Sequence, residues 1–325
     1  MAVNLGSTAV ANIYIGNTQV QNVYLGNSLI YSTGNAIQTI INNFKTRVAN
    51  DGGTFEAESN LLSILNSVNS TIGLSKVNML LTPNAFKAGK AYNVIGATDF
   101  AMSRNTTATR FNSSGLVVNS PINTMRIDYS SGTPMILDEA QATNLFSYSN
   151  DFNDASYTKS NFTQNALTTT SLDGTTILGY DFGNGFIFKD FVSVSGNPFA
   201  FGLYIKANKI ATIQIRNPSG SFVNKSLTND WSRISESGNA ISSSTRLILD
   251  NRTTLVPDLK VWLYQAQAES GLALTSIIPT VAAAVTRNED VLTVTPPSGT
   301  VRITTTFLDN TTQVLNTIPA TFTLP

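Results

Sequence analysis

The sequence predicts a mainly β protein: an N-terminal β-ribbon, a short helical hairpin, a β-sandwich or jelly-roll module and a small C-terminal β cap. Three observations carry that reading. Short apolar runs such as Thr176-Ile-Leu-Gly-Tyr180, Phe199 to Ile205 and Arg246-Leu-Ile-Leu249 alternate with turn residues, the pattern of a sandwich rather than of a helix-covered sheet. A repeat of ten residues opens the chain. One strand, Lys260 to Gln267, is apolar on both faces and so belongs where both sides are covered.

The repeat occupies residues 1–33. Leu5-Gly6-Ser7, Ile15-Gly16-Asn17 and Leu25-Gly26-Asn27 recur at intervals of ten, and Ile13-Tyr14-Ile15 matches Val23-Tyr24-Leu25. Glycine before a small polar residue, between alternating apolar runs, favours tight hairpin turns because glycine tolerates the positive φ they require. A ribbon this short has too little core to stand alone, so its apolar face is expected to rest on another protein or on copies of itself. It reads as an anchor, or otherwise as an extension of the next domain.

Residues 34–72 carry a helical period. Ile37, Ile40, Ile41, Phe44 and Val48 share one face, and Asp51-Gly52-Gly53 ends the run. Thr54 is placed to cap a second helix, with Glu56 and Glu58 at its positive end and Leu61, Leu62, Leu65 and Val68 as its apolar stripe. Such a hairpin leaves one greasy side, which either packs on the downstream sheets or bundles around a threefold axis. Residues 73–139 form a turn-rich β connector, punctuated by Pro83, Gly89, Gly96, Gly115, Pro121, Gly132 and Pro134. Arg104, Arg110 and Arg126 stand out there and are expected to fork onto backbone carbonyls or a carboxylate such as Asp99 or Asp128.

The sandwich spans residues 140–290. In its last long strand Val261 and Leu263 are expected to point one way and Trp262, Tyr264 and Ala266 the other. Gln265, Gln267 and Glu269 then lead to a turn at Ser270-Gly271, and Pro279 takes the chain out of the sheet because it has no amide proton to donate. The strand therefore closes a module, and its expected partner is the run Ala142 to Phe152. Residues 291–325 hold brief alternating runs and a hairpin turn at Leu308-Asp-Asn310, a small cap or an oligomer contact.

Composition narrows function. Only 12% of the 325 residues are charged, against about 25% in ordinary soluble proteins, and 20 basic residues balance 20 acidic ones. Such a surface has no field for nucleic acid or an anionic membrane, and neither partner is expected. With no cysteine there is neither a disulfide framework nor a thiolate metal site, and with no histidine the commonest general base and metal ligand are gone. No apolar run approaches the roughly 20 residues of a membrane span, and Met1-Ala-Val-Asn-Leu-Gly6 lacks the basic start of a signal peptide.

Candidate chemistry is sparse. The acid pairs Asp138 with Glu139, Asp151 with Asp154, and Glu289 with Asp290 are the only arrangement suggesting glycan cleavage, and neighbouring acids on a strand point to opposite faces. Asn150, Asp151 and Asp154 have the oxygen donors of a calcium site but read as a solvated turn, so no metal and no cofactor is assigned. Gly183-Asn-Gly185 has turn glycines without the strand and helix context of a nucleotide site. For sugar binding an aromatic face beside polar side chains matters; Tyr148, Tyr157, Phe162, Tyr180, Phe186 and Phe188 qualify, and Tyr157 and Phe162, in polar surroundings, are the assigned ligand-binding residues.

The segments ATNLFSYSNDF (142–152) and QAQAESGLALTSIIPTVAAAVTRNED (265–290) resemble the two bookends of a lectin-like, concanavalin A-like jelly-roll module found in fibre and spike proteins of tailed bacteriophage virions. Phe201-Gly-Leu-Tyr-Ile-Lys206 and Asp230-Trp231-Ser-Arg233-Ile234 are similar to the strand and tryptophan step between them, and the runs at 79–92, 106–116 and 125–129 to what precedes the module. The resemblance covers roughly residues 79–325. It implies a non-enzymatic structural and adhesive protein at the virion surface, a head or tail fibre or spike, homotrimeric, bound to other virion proteins through residues 1–33 and displaying a receptor- or carbohydrate-binding sandwich. The alternatives it leaves are a polysaccharide depolymerase spike and a capsid decoration or adaptor protein without a receptor.

Overall fold

The computed structural model describes residues 36–325 apart from 97 and 308, together with the backbone of residues 4–5, 8–9, 14–15, 18–19, 22–25 and 28–35. Three successive hairpins open the chain: Asn4–Leu5 with Thr8–Ala9, Tyr14–Ile15 with Thr18–Gln19, and Asn22–Leu25 with Ser28–Ser32. Leu5 faces Thr8, Ile15 faces Thr18 and Leu25 faces Ser28, so two residues separate the paired ends each time, as the repeat predicts. The turn pairs themselves and the ribbon's apolar face lie outside the described residues.

Two helices follow, α1 (Thr33–Asn50) and α2 (Glu58–Thr71). Ile37, Ile41, Phe44, Val48, Leu61 and Leu65 are buried against Ala85, Tyr92 and Val94, so the greasy side of the hairpin packs on the sheet that follows it. Thr54 does not cap α2. It begins a two-residue strand paired with Phe86, and Ala57, in the left-handed region at φ 54°, holds the cap position without a side-chain bond. Asn84 fixes that corner by donating from Nδ2 to the carbonyls of Glu56 and Ala57.

The sheet beneath the helices has six strands in the order Phe322–Thr323, Val291–Val294, Phe100–Ser103, Lys90–Asn93, Leu81–Lys87, Thr54–Phe55. The connector and the C-terminal tail thus share one sheet and one core, in which Phe86, Phe100, Met102, Met125 and Ile127 pack with Leu292, Val294, Ile303 and Phe322. The tail's hairpin, Ile303–Thr306 with Thr312–Leu315, forms around the expected turn.

The module is a β-sandwich of jelly-roll type with eight strands: β1 (Thr158–Thr170), β2 (Thr176–Val192), β3 (Pro198–Ala207), β4 (Ala211–Arg216), β5 (Phe222–Leu227), β6 (Ser232–Asn239), β7 (Ser244–Asp250) and β8 (Lys260–Ser270). The strand order is β5-β4-β7-β2-β8-β3-β6, with β1 on β2. β2 belongs to both layers. Tyr180 and Asp181 pair with Val261 and Lys260 of β8, whereas Phe186 to Val192 pair with Asp250 to Ser244 of β7. Gly183-Asn184-Gly185 is where the partner changes, and β1 follows the bend through two register shifts. Phe146, Phe182, Phe201, Ile213, Ile215, Leu227 and Val261 fill the space between the layers.

The two distant bookends meet. Ala142–Asn144 pairs antiparallel with Val285–Arg287, the Leu145 amide donates to the Ala268 carbonyl, and Asn144 Nδ2 donates to the carbonyls of Ala266 and Ile278. β8 departs from simple alternation at Gln265, whose φ of 54° accompanies a register shift opposite Gly202 to Tyr204. That bulge inverts the parity of everything after it. Ala266 therefore joins Val261, Leu263 and Ala268 in the core, and not Trp262 and Tyr264 on the other side.

The connector arginines do fork onto carbonyls and carboxylates, but onto other acids than Asp99 and Asp128. Arg104 donates to Asp290 at 2.5 Å and to the carbonyls of Thr106, Thr124 and Pro121. Arg126 bridges Asp290 and Glu139, the latter at 2.8 Å, and Arg110 reaches Glu56 at 3.1 Å. Asp99 instead holds Arg47, and Asp128 accepts from the Phe111 amide. The cluster clamps the connector to the segment that closes the module.

Among the described residues, none meets Oδ2 of Asp138 beside this cluster. Burial, reinforced by repulsion from Asp290, pushes its carboxyl up to about 7. A carboxyl with a raised folded pKa must stay protonated while its unfolded counterpart ionises, so it erodes stability as pH rises from about 4 to about 7 and leaves a constant penalty above. Asp138→Asn should therefore leave stability unchanged at pH 4 and raise it by about 1–2 kcal/mol at pH 8, a value discounted for partial exposure. Urea denaturation at the two pH values measures it; an equal effect at both would refute the assignment.

Candidate functional site

Tyr157 and Phe162 are core residues, 5% and 4% exposed. Phe162 follows Asn161, whose φ of 47° marks the bulge in β1, and stacks on Tyr180 at 4.8 Å between centroids. Tyr157 donates its hydroxyl to the Tyr148 carbonyl and lays its ring 4.4 Å from the Lys189 ammonium. Their assignment as ligand platforms is corrected: neither turns a face to solvent, because Tyr157, at the end of the loop before β1, and Phe162, opposite Phe182 in β1, both pack into the core while the polar residues beside them face outward.

Of the aromatics proposed from the sequence, Phe186 and Phe188 are the pair that faces outward on the sheet. In β2, Ile187 and Phe191 enter the core, which turns Phe186, Phe188 and Asp190 outward. In β7, Leu247 and Leu249 point in and Arg246, Ile248 and Asp250 point out; in β4, Ile213 and Ile215 point in and Thr212, Gln214 and Arg216 out. Register then sets a row across four strand junctions, Ser160, Phe186, Asp250, Gln214 and Asn224, each directly opposite the next.

The two rings stack at 5.6 Å with 23° between planes. The Arg246 guanidinium lies 3.5 Å from the centre of Phe188, and that of Arg252 4.6 Å from Phe186. A cation thus caps each end of the ring pair, the favourable position for positive charge over the π face. Each cap is held by a carboxylate: Asp190 accepts from Arg246 Nε and Nη2 at 2.6 and 2.9 Å, and Asp250 from Arg252 Nε and Nη2 at 3.0 and 2.5 Å. Burial raises the Asp250 carboxyl, but the Arg252 bonds and charge outweigh it and hold it below the usual range. Gln214 Nε2 donates to Asn224 Oδ1 at 3.1 Å. The half-buried ring edges, amides, hydroxyls and guanidinia form a surface with apolar and hydrogen-bonding parts side by side, which is what a sugar presents in return.

Of the acid pairs, Asp138, Glu139, Glu289 and Asp290 are brought together, with Glu139 and Asp290 locked onto arginines. Asp151 and Asp154 accept from backbone amides of their own loop, and Asn150 Oδ1 accepts from the Gln265 amide. Among the described residues no group of three or more acidic side chains is placed to hold a metal ion. Sequence reasoning missed Asp190, Arg246, Asp250 and Arg252. Their signal was present: Phe-x-Phe-x-Asp at 186–190 and Arg-x-Ile-x-Asp-x-Arg at 246–252 are alternating strands of complementary charge.

No protein-family model and no curated protein matches the chain. Among solved structures, a CBM4 carbohydrate-binding module aligns over 34% of this chain and 95% of its own at 9% identity, TM-score 0.27. The CBM22-1 xylan-binding domain of Paenibacillus barcinonensis Xyn10C covers 41% and 94% at 13% identity, TM-score 0.27. The enzymatically active domain of bacteriophage CBA120 tailspike protein 4 covers 40% and 21% at 12% identity, TM-score 0.25. These partial likenesses identify no family.

Proposed function

We propose that the chain is an adhesive structural protein of a bacteriophage particle, a fibre or spike component that binds a surface glycan through the outer face of the β2-β7-β4 layer. The observation that carries the binding reading is the capped aromatic stack, Arg246, Phe188, Phe186 and Arg252, standing on a sheet face beside Gln214 and Asn224. The anchoring reading rests on three tandem hairpins, each too short to be stable without a partner, joined to α1. The proposed role is contact without bond cleavage, in a homotrimer held to the particle by residues 1–33.

The test is binding of the full-length chain to a panel of bacterial surface polysaccharides by affinity electrophoresis. Phe188→Ala should weaken retention about tenfold or more while the circular dichroism spectrum is unchanged, because the ring is half-buried on an outer face and is not part of the core. Equal retention of the variant, or no retention of the parent chain by any polysaccharide, would remove the glycan reading. Reducing-sugar release during the same incubation would replace it with a depolymerase. Solution mass and labelling of residues 1–33 on the particle test the trimer and the anchor.

A further inference from the structure

We infer that the stack face selects anionic glycans, whose sugars carry carboxylates, over neutral ones. The inference rests on the glycan reading above and comes from counting donors and acceptors on that face. Three guanidinia, Arg216, Arg246 and Arg252, stand outward against two carboxylates, Asp190 and Asp250. Both carboxylates are occupied by arginine. Each Asp190 oxygen accepts one guanidinium N–H, and Asp250, 3% exposed, accepts from the backbone amide, Nε and Nη2 of Arg252.

The donors are open by comparison. Arg246 and Arg252 use only Nε and Nη2 on their carboxylates, and Arg216 uses Nε on the Gly220 carbonyl. Among the described residues no acceptor meets Nη1 of any of the three. Asn224 Oδ1 already accepts from Gln214, which leaves the Asn224 amide N–H pair as further donors. A neutral sugar offers hydroxyls that both give and take and would leave much of this donor surplus unmatched. A carboxylate is acceptor-only, and its bond to a guanidinium is charge-assisted. The two Nη1 groups flank the ring pair, so carboxylates on successive sugars can meet cations while ring C–H surface lies along the Phe186 and Phe188 edges. Guanidinium stays protonated throughout the working range, so this selectivity holds wherever the sugar acid is ionised.

The experiment uses the full-length chain and polygalacturonate, alginate and hyaluronate oligomers, each beside its own carboxyl-reduced form, in which every carboxylate becomes a hydroxymethyl group. Titration calorimetry should give at least one acidic oligomer binding about tenfold more tightly than its reduced partner, with affinity falling as salt rises. Arg246→Gln and Arg216→Gln should each pull that ratio towards one; Arg216 lies outside the ring stack, so its variant keeps the test valid if removing Arg246 disturbs the rings. Equal affinity for acidic and reduced forms, or a ratio unmoved by both variants, overturns the inference while glycan binding stands. Failure of every oligomer to bind, together with failure of the polysaccharide panel, removes both.

Discussion

Asp290→Asn lowers the free energy of unfolding by about 3–5 kcal/mol. The side chain is fully buried, as are those of Arg104 and Arg126; its Oδ1 takes Arg104 and its Oδ2 takes Arg126, with Arg287 Nη1 3.7 Å from the same Oδ2. It also accepts from the Glu139 amide. Asparagine keeps the shape but carries no charge and turns an N–H pair towards one of the cations. Arg104 would be left with carbonyl acceptors alone, and a buried cation without a counter-charge carries a desolvation penalty that carbonyls do not offset. Burial already draws the Arg104 guanidinium below its ordinary value, with Asp290 as the main opposing influence. Adding Arg104→Met to Asp290→Asn should restore part of the loss, since the orphaned charge goes with the side chain. Urea denaturation of the four chains of this cycle measures the coupling; a single-variant loss under about 1 kcal/mol would show that the cluster is an onlooker to folding.

The same cluster shows where sequence reasoning succeeds and where it stops. That Arg104 and Arg126 would be structural forks followed from their isolation in an uncharged stretch; that Asp290 would receive them did not, because Arg104 and Asp290 are 186 positions apart and meet only when the tail returns to the connector. The meeting of 142–152 with 265–290 was legible because both ends of a closing strand pair carry pattern of their own. The parity of Ala266 was not. A bulge is one left-handed residue, and Gln265 looks like any other strand glutamine until β3 sets the register. Phe162 and Phe186 pose the same difficulty, since both lie in alternating strands and alternation alone leaves open which face is inside. Pairing decides it: Phe162 lies opposite Phe182 of the core, whereas Phe186 lies opposite Asp250.

Gly185→Ala should cost about 3 kcal/mol or more, and Gly183→Ala, two residues away in the same strand, no more than about 1 kcal/mol. Neither glycine has a positive φ, so the difference is one of space and not of backbone freedom. A Cβ on Gly185 would sit 1.9 Å from the Ser160 carbonyl oxygen and 2.8 Å from Asn161 Cβ, whereas one on Gly183 meets nothing nearer than 3.4 Å. Ser160 cannot simply retreat. It is paired with Phe186 on one side of the β1 bulge, and Asn161 Nδ2 ties that bulge to the Asn184 carbonyl. Gly185 is also pinned from the other side, where its carbonyl accepts from the Asn251 amide. Relief therefore requires β1 to peel from β2 where the strand pair bends from one layer into the other, and the row that carries Phe186 tilts with it. Hydrogen exchange should show early loss of protection in β1 for Gly185→Ala and none for Gly183→Ala, and the proposed glycan retention should fall only in the former. Equal stability of the two variants would mean that the close approach of β1 and β2 is not what bends the sheet.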